Sequence, residues 1–297
     1  VTAAARGGFL PALAAVTIWG MVPVALRHFM AVLDPIPFSA IRFGAAALAA
    51  SPLFLFARPW RWPTSDLLRA MLCGLLALPG LNIPSALAAR TIPAGGIGLI
   101  TATEPIFIIL FSLIATRARL TARIAQGALI ALAGVALAMS HGTEALFDPA
   151  NAVNVAWGLL GASSWAVYAI VSVPLVTRYG GYRTTGAVLV FGGAVSAVVM
   201  ALLLPGDVWP APVMFGQIAL LSLTSSVIGF LLWNQSAARL PPQLIGPLLY
   251  LIPVVGIAGG VTILGEPLTW QMMLGGLIVI YGVALGEGRI GWLPTRS

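Results

Sequence analysis

The residues equipped for chemistry are few in this 297-residue chain, and most sit where chemistry is costly. Glu104 lies deep inside an apolar run, where an ionisable group is expensive unless it faces protein or a watery cavity. There it can grip an amine, exchange a proton, or hydrogen-bond to backbone loosened by the adjoining Pro105. Thr101, three residues earlier, is expected on the Glu104 face of a helix, and Thr103 elsewhere. Asn82 and Ser85 share a second helical face with Pro84 between them, and Asn234, beside Trp233 and Gln235, shares a third with Ser226. In an apolar medium such groups must find partners, so they either cement helices or line a polar path. Trp19, Trp165, Tyr168 and Tyr250 also lie within apolar runs, and Trp165 and Tyr168 fall on one helical face. These rings either pack helices together or offer stacking surfaces worth about 1 kcal/mol per contact.

Enzymatic chemistry lacks its parts. His28 and His141 are the only histidines and lie at run ends or between runs, with no paired-His metal motif, nucleophile elbow or second carboxylate within a run. No metal site, cofactor or ATP-binding loop is expected. Cys73, the single cysteine, excludes an internal disulfide and reads as a small core residue.

The elements that must hold these residues are long apolar runs, near 9–27, 36–57, 68–88, 95–116, 124–140, 153–175, 183–204, 214–237, 243–264 and 271–287. Each approaches the ~20 residues a helix needs to cross a bilayer. With 60% hydrophobic and 8% charged residues and a mean hydropathy of +1.01, the chain has too little polar surface to coat a soluble globule. The expected fold class is an all-α integral membrane protein of ten transmembrane helices. Residues 6–26 have the look of a leader peptide, but the repeat below gives them a counterpart later in the chain, so they are read as the first span.

All 15 basic residues are arginine, and they alternate in density between successive gaps. Arg6, Arg58, Arg61, Arg69, Arg117, Arg119, Arg123, Arg178, Arg183, Arg239, Arg289 and Arg296 fall on one side, against only Arg27, Arg42 and Arg90 on the other. The positive-inside rule places the first set, and both termini, in the cytoplasm of a bacterial-type inner membrane. The pI near 10.7 therefore reports orientation, and a nucleic-acid partner is not expected. Trp60, Trp62, Trp209, Trp270 and Trp292 sit at run ends or between runs and read as interfacial anchors.

A shift of 148 residues lays the segment from Gly98 to Leu137 on that from Gly246 to Leu285 with 12 identities in 40 positions. Roughly one in ten would match by composition alone. Gly98 meets Gly246, Pro105 meets Pro253, Gly127 meets Gly275, and Gly134 to Leu137 meets Gly282 to Leu285. Residues 1–148 and 149–297 are thus expected to be five-helix repeats. Because five is odd, the second must enter the membrane inverted, an arrangement associated with alternating access. Arg117 and Arg119 in one loop correspond to the Glu266 loop in the other, opposite charge on opposite faces.

Glu104-Pro105, Gly265-Glu266-Pro267-Leu268-Thr269, Arg42-Phe43 and the Gly-rich last run of each half together resemble the ten-helix EamA-type exporters of the drug/metabolite transporter superfamily. The resemblance covers nearly the whole chain, and the Trp- and Tyr-bearing runs look most like the aromatic amino-acid exporter branch. The first half departs from the pattern. Arg117-Ala118-Arg119 stands where the family often has Gly-Glu-Arg, so any role of that glutamate falls to Glu266.

The resemblance implies a secondary transporter exporting amino acids with aromatic or bulky apolar side chains, with other small metabolites or drugs as the alternative and a passive channel as the weaker rival. Inverted-repeat transporters bind cargo near the midplane where helices are interrupted. The expected hinges are therefore Gly98, Pro105, Gly246 and Pro253, and the expected site residues Trp19, Asn82, Ser85, Thr101, Glu104, Trp165, Tyr168, Asn234 and Tyr250. A monomer in the lipid bilayer is expected. Gly256 with Gly260 and Gly282 with Gly286 are read as helix-packing pairs, the second also compatible with a homodimer.

Overall fold

The computed structural model describes residues 3–30, 33, 35–92, 94–116, 121–140, 144–203 and 212–286, and among these there is helix but no strand. Arg117, Arg119, His141, Asp207, Trp209, Arg289, Trp292 and Arg296 lie outside the described residues. Helices α1 (Ala3–Met30) and α2 (Pro35–Ala57) are followed by α3 (Thr64–Ala77) and α4 (Pro79–Ala88), which divide one apolar run. The division falls at Leu78 (φ −105°, ψ −82°), because the ring of Pro79 drives the preceding residue out of the α region. Pro84, between Asn82 and Ser85, sits inside α4.

The next run is also divided, into α5 (Ala94–Thr101) and α6 (Glu104–Thr116), and is followed by α7 (Ala122–Ala138) and α8 (Ala152–Val171). Helix α9 (Val173–Leu203) bends at Gly180, whose φ of 78° suits glycine. Helices α10 (Pro212–Leu221) and α11 (Gly229–Ala237) are joined by a π-helical stretch, Ser222–Ile228. The short α12 (Pro242–Ile245) runs through a 3-10 segment, Gly246–Tyr250, into α13 (Leu251–Leu264), and α14 (Trp270–Gly286) closes the order.

Among the described residues seven stretches are long and apolar enough to cross a bilayer: Gly7–Ala25, Phe38–Arg61, Thr64–Ala88, Gly96–Ala115, Pro149–Val171, Pro212–Ala237 and Pro242–Leu264. Helices α7 and α14 are shorter and apolar, and at 1.5 Å per residue each spans about 25 Å. The outer surface is correspondingly greasy. Leu48 is 77% exposed, Ile114 79%, Leu202 79% and Val213 75%, a surface suited to lipid and not to water.

Packing follows a reciprocal scheme. Helix α4 packs on α8, and α11 on α1; α6 packs on α8, and α13 on α1; α3 packs on α9, and α10 with the π stretch on α2. Helix α2 lies along α9, and α7 along α14. The last pair is antiparallel and glycine-bound. A Cβ on Gly127 would fall 2.6 Å from the Gly282 carbonyl oxygen, and one on Gly134 2.7 Å from that of Gly275. Small residues allow such backbone contact without a side chain between, so these glycines serve packing inside the chain.

Candidate substrate site

Helices α1, α8 and α11 bring five aromatic rings together. Trp19 meets Trp165 edge to face at 5.3 Å, Phe230 at 5.8 Å and Trp233 at 5.6 Å. Trp165 in turn contacts Tyr168 at 5.0 Å, Phe230 at 5.6 Å and Trp233 at 5.9 Å. These separations and tilts match the preferred geometry of aromatic pairs. Tyr168 and Trp233 are fully buried and Trp165 nearly so, while Trp19 is half-buried.

A polar chain fixes one side of the cluster. The Tyr168 hydroxyl donates to Asn234 Oδ1 at 2.9 Å, and Asn234 Nδ2 donates to Thr185 Oγ1 at 2.9 Å, joining α8, α11 and α9. The Asn234 amide is therefore held at both ends. The indole nitrogens of Trp165 and Trp233 and the hydroxyls of Ser226 and Tyr250 are buried without hydrogen-bond partners among the described residues. Buried donors of this kind are uncommon, and functional sites are one place they occur.

The π stretch fixes the other side. Trp19 Nε1 donates to the Ser225 carbonyl at 2.8 Å, and Arg42 Nη2 donates to Ser225 Oγ at 2.9 Å. Ser222 Oγ returns a bond to the Arg42 carbonyl at 2.8 Å, tying α2 to the same turn. A π stretch adds a wide turn to a helix and frequently marks functional positions. Arg42 also lies 5.2 Å from the Phe43 ring centroid.

Glu104 is buried at the first turn of α6, where the chain has just been broken at Ala102 and Thr103. Among the described residues no hydrogen bond or ion pair reaches its carboxylate, and none links it to the aromatic cluster. Thr101 departs from expectation. It ends α5, is exposed, and donates to the Ile97 carbonyl at 3.0 Å. The break between them removes the helical register that would have put it beside Glu104. Thr103 is the hydroxyl that answers the broken helix, donating to the Ile100 carbonyl at 2.6 Å.

Asn82 and Ser85 donate to carbonyls of their own helix run, Leu78 at 2.8 Å and Leu81 at 2.7 Å. Ser85 faces α8, whose Gly161 leaves room for its hydroxyl. Gly246 lies against Ile108 of α6, and Gly98 against Met139 just beyond the end of α7. Pro105 is the second residue of α6, and Pro253 the third of α13. The 3-10 segment Gly246–Tyr250 precedes Pro253 much as the break at 102–103 precedes Pro105.

Gly265 and Glu266 have a local use. Gly265 ends α13 with φ 68°, and the Glu266 amide bonds to the Gly260 carbonyl at 3.1 Å, a left-handed stop that glycine favours. Trp60 and Trp270 are exposed as interfacial anchors would be, whereas Trp62 stacks on Tyr179 at 3.9 Å. Sequence reasoning omitted Phe230, Trp233 and Arg42 from the site. The signal was present in the three-residue spacing of Phe230 and Trp233 on the Ser226 face, and in Arg42 as a cation inside an apolar run.

An all-helical, lipid-faced chain with broken helices around buried aromatic and polar groups defines a membrane transport protein. The sequence profile of the EamA-like transporter family matches residues 6–140 and again 153–286. The chain belongs to this family, within the drug/metabolite transporter superfamily. It is similar to a probable terminal-alkyne amino-acid exporter of Streptantibioticus cattleyicolor, at 27% identity over 82% of this chain and 80% of that one. It is also similar to a probable amino-acid metabolite efflux pump of Escherichia coli, at 26% identity over 95% of both chains. One crystal structure superposes with a TM-score of 0.82, covering 97% of this chain and 99% of the other at 21% identity, a likeness of fold.

Proposed function

We propose that this chain is a ten-span secondary transporter of a bacterial inner membrane that exports amino acids with aromatic or bulky apolar side chains. Two inverted five-helix halves, residues 1–148 and 149–297, alternate access to a central site. The repeated family match over 6–140 and 153–286 supports the division. So does reciprocity at the α7–α14 seam. Gly127 touches Gly282 and Gly134 touches Gly275, while a shift of 148 equates Gly127 with Gly275 and Gly134 with Gly282. When residue i meets the equivalent of j, and j the equivalent of i, the two elements are related by a two-fold axis. With antiparallel helices that axis lies across them, in the membrane plane.

The observation that carries the substrate reading is the five-ring cluster, built by both halves: Trp19 from one, Trp165, Tyr168, Phe230 and Trp233 from the other. Its rings contact each other now. An aromatic cargo would replace those contacts with equivalent ones, so the closed cluster and the loaded site stay close in energy. The relatives described as a probable terminal-alkyne amino-acid exporter and a probable amino-acid metabolite efflux pump support the amino-acid part of this reading. Asn82, Ser85, Glu104, Asn234 and Tyr250 supply the polar complement, Glu104 meeting the cargo amine or a proton. Thr101 is left out because it is exposed beyond the break.

Reconstituted vesicles loaded with labelled Phe, Trp, Leu, Met and Ser, with and without a pH gradient, test the reading. Faster flux of the aromatic and bulky apolar members is expected. A flat response across the panel would sink the amino-acid assignment and turn attention to other metabolites or drugs.

A further inference from the structure

A cavity lies where α2 ends. Arg58, Arg61, Trp62, Tyr179 and Arg183 line a cavity of about 460 Å³ together with Phe56, a volume in the range of small-molecule sites. It shares no residue with the aromatic cluster. The membrane-crossing stretch Phe38–Arg61 ends in it, so the cavity sits at the boundary between hydrocarbon and water.

Three cations meet there without an anion. Asp66, the nearby carboxylate, is held by Arg178 Nη1 and by the Tyr179 hydroxyl, both at 2.7 Å. Among the described residues neither Arg58, Arg61 nor Arg183 forms an ion pair, and all three are exposed. The wall behind them is stiff. Trp62 lies flat on Tyr179 at 5° and 3.9 Å, and the Arg183 guanidinium is 5.1 Å from the Phe56 ring centroid. Arg58 itself adopts φ 49°, the one positive φ of a non-glycine residue among those described. Backbone in this region is disfavoured for a long side chain and is retained where surrounding structure demands it.

The lipid-ward rim is apolar: Leu55 is 62% exposed, Phe56 61% and Trp60 54%. Cations above and exposed hydrocarbon below match the two ends of a phospholipid, and guanidinium groups pair with phosphate in bidentate fashion. We propose that the cavity at the end of α2 binds the headgroup phosphate of an anionic phospholipid, with Arg58, Arg61 and Arg183 on the phosphate and Leu55 and Phe56 against the acyl chains. The site depends on α2 crossing the bilayer and not on the nature of the cargo.

Native mass spectrometry of detergent-purified protein mixed with phosphatidylglycerol or phosphatidylcholine gives the test. The intact chain should retain phosphatidylglycerol at least about tenfold better, and the triple variant Arg58→Gln, Arg61→Gln, Arg183→Gln should lose that preference. The control pair Arg90→Gln and Arg239→Gln, outside the cavity, should keep it. Equal retention by the triple variant overturns the site, and an equal loss in the control pair reduces it to diffuse surface attraction and overturns it too. If the glutamine variant fails to insert, the corresponding Lys triple variant, which keeps the topogenic charge, decides. A severalfold loss supports bidentate arginine binding, and wild-type retention overturns it. Millimolar inorganic phosphate should compete poorly. Displacement of the lipid by phosphate as readily as by phosphatidylglycerol would overturn the lipid assignment in favour of a free anion.

Discussion

Trp165 touches four other rings while its own indole nitrogen is buried without a hydrogen-bond partner among the described residues. Replacement by Leu keeps an apolar surface and removes the ring face, so transport of Phe and Trp is expected to fall about fivefold more than transport of Leu and Met, as one lost contact of about 1 kcal/mol implies. Competing flux of labelled pairs in one vesicle preparation measures the ratio. An equal loss for every cargo would mean that Trp165 only holds α1, α8 and α11 together. Glu104→Gln keeps size and hydrogen-bonding capacity and removes the charge. It is expected to stay within about threefold of the parent flux with a flatter pH dependence, read from initial rates at several external pH values. Unchanged pH dependence would restrict Glu104 to hydrogen bonding. The residue types were legible in the sequence, since Glu104 lies deep inside an apolar run and Trp19, Trp165, Tyr168 and Tyr250 carry polar atoms into such runs. Their company was not: Phe230 and Trp233 join Trp19 only through the packing of α11 on α1, which no local pattern encodes.

In the proposed mechanism the interrupted helices are the moving parts. Pro105 and Pro253 cannot donate a backbone hydrogen bond, and each follows a disrupted segment, the break at 102–103 and the 3-10 turns at Gly246–Tyr250. Under the proposed alternating access, weak points at equivalent places in the two halves would exchange conformations. The double variant Pro105→Ala, Pro253→Ala should insert and fold yet transport about tenfold more slowly, measured as flux per reconstituted molecule. Normal flux would make both prolines passive kinks. A rigid seam should behave oppositely. Gly134→Leu places a side chain where even a Cβ would lie 2.7 Å from the Gly275 carbonyl, and the expected result is a sharp drop in folded yield by size-exclusion fluorescence, not altered selectivity. Periodicity located these elements within a few residues. It could not reveal the break at Leu78, the π stretch at Ser222–Ile228 or the loss of register between Thr101 and Glu104, because hydrophobic pattern reports which face is buried and not how the backbone is wound.

At the scale of the molecule, arginine placement and reciprocal packing bear on the same property, orientation. The proposed two-fold axis in the membrane plane sends equivalent loops to opposite faces, so the loop at Leu268 should face outward while Arg239 faces the cytoplasm. Both residues are exposed at helix ends. A background of Cys73→Ser, at a buried position with no other cysteine in the chain, allows single-site labelling from outside intact cells. A membrane-impermeant thiol reagent should modify Leu268→Cys and leave Arg239→Cys unmodified until the cells are opened. The reverse pattern would invert the topology, and labelling of both from outside would mean that the segment from α12 to α13 between them does not cross the membrane, which would end the five-span reading of the second half. Charge alone could have been misread as an affinity for acidic partners, and the shift of 148 residues alone as a tandem repeat. In the proposed arrangement an odd number of spans per half would turn the repeat into an inversion, which sends equivalent loops to opposite faces and so matches the arginine-rich set to the cytoplasm. In the proposed mechanism the two halves exchange shapes across the membrane, and the exchange opens the aromatic cluster between them first to one face and then to the other.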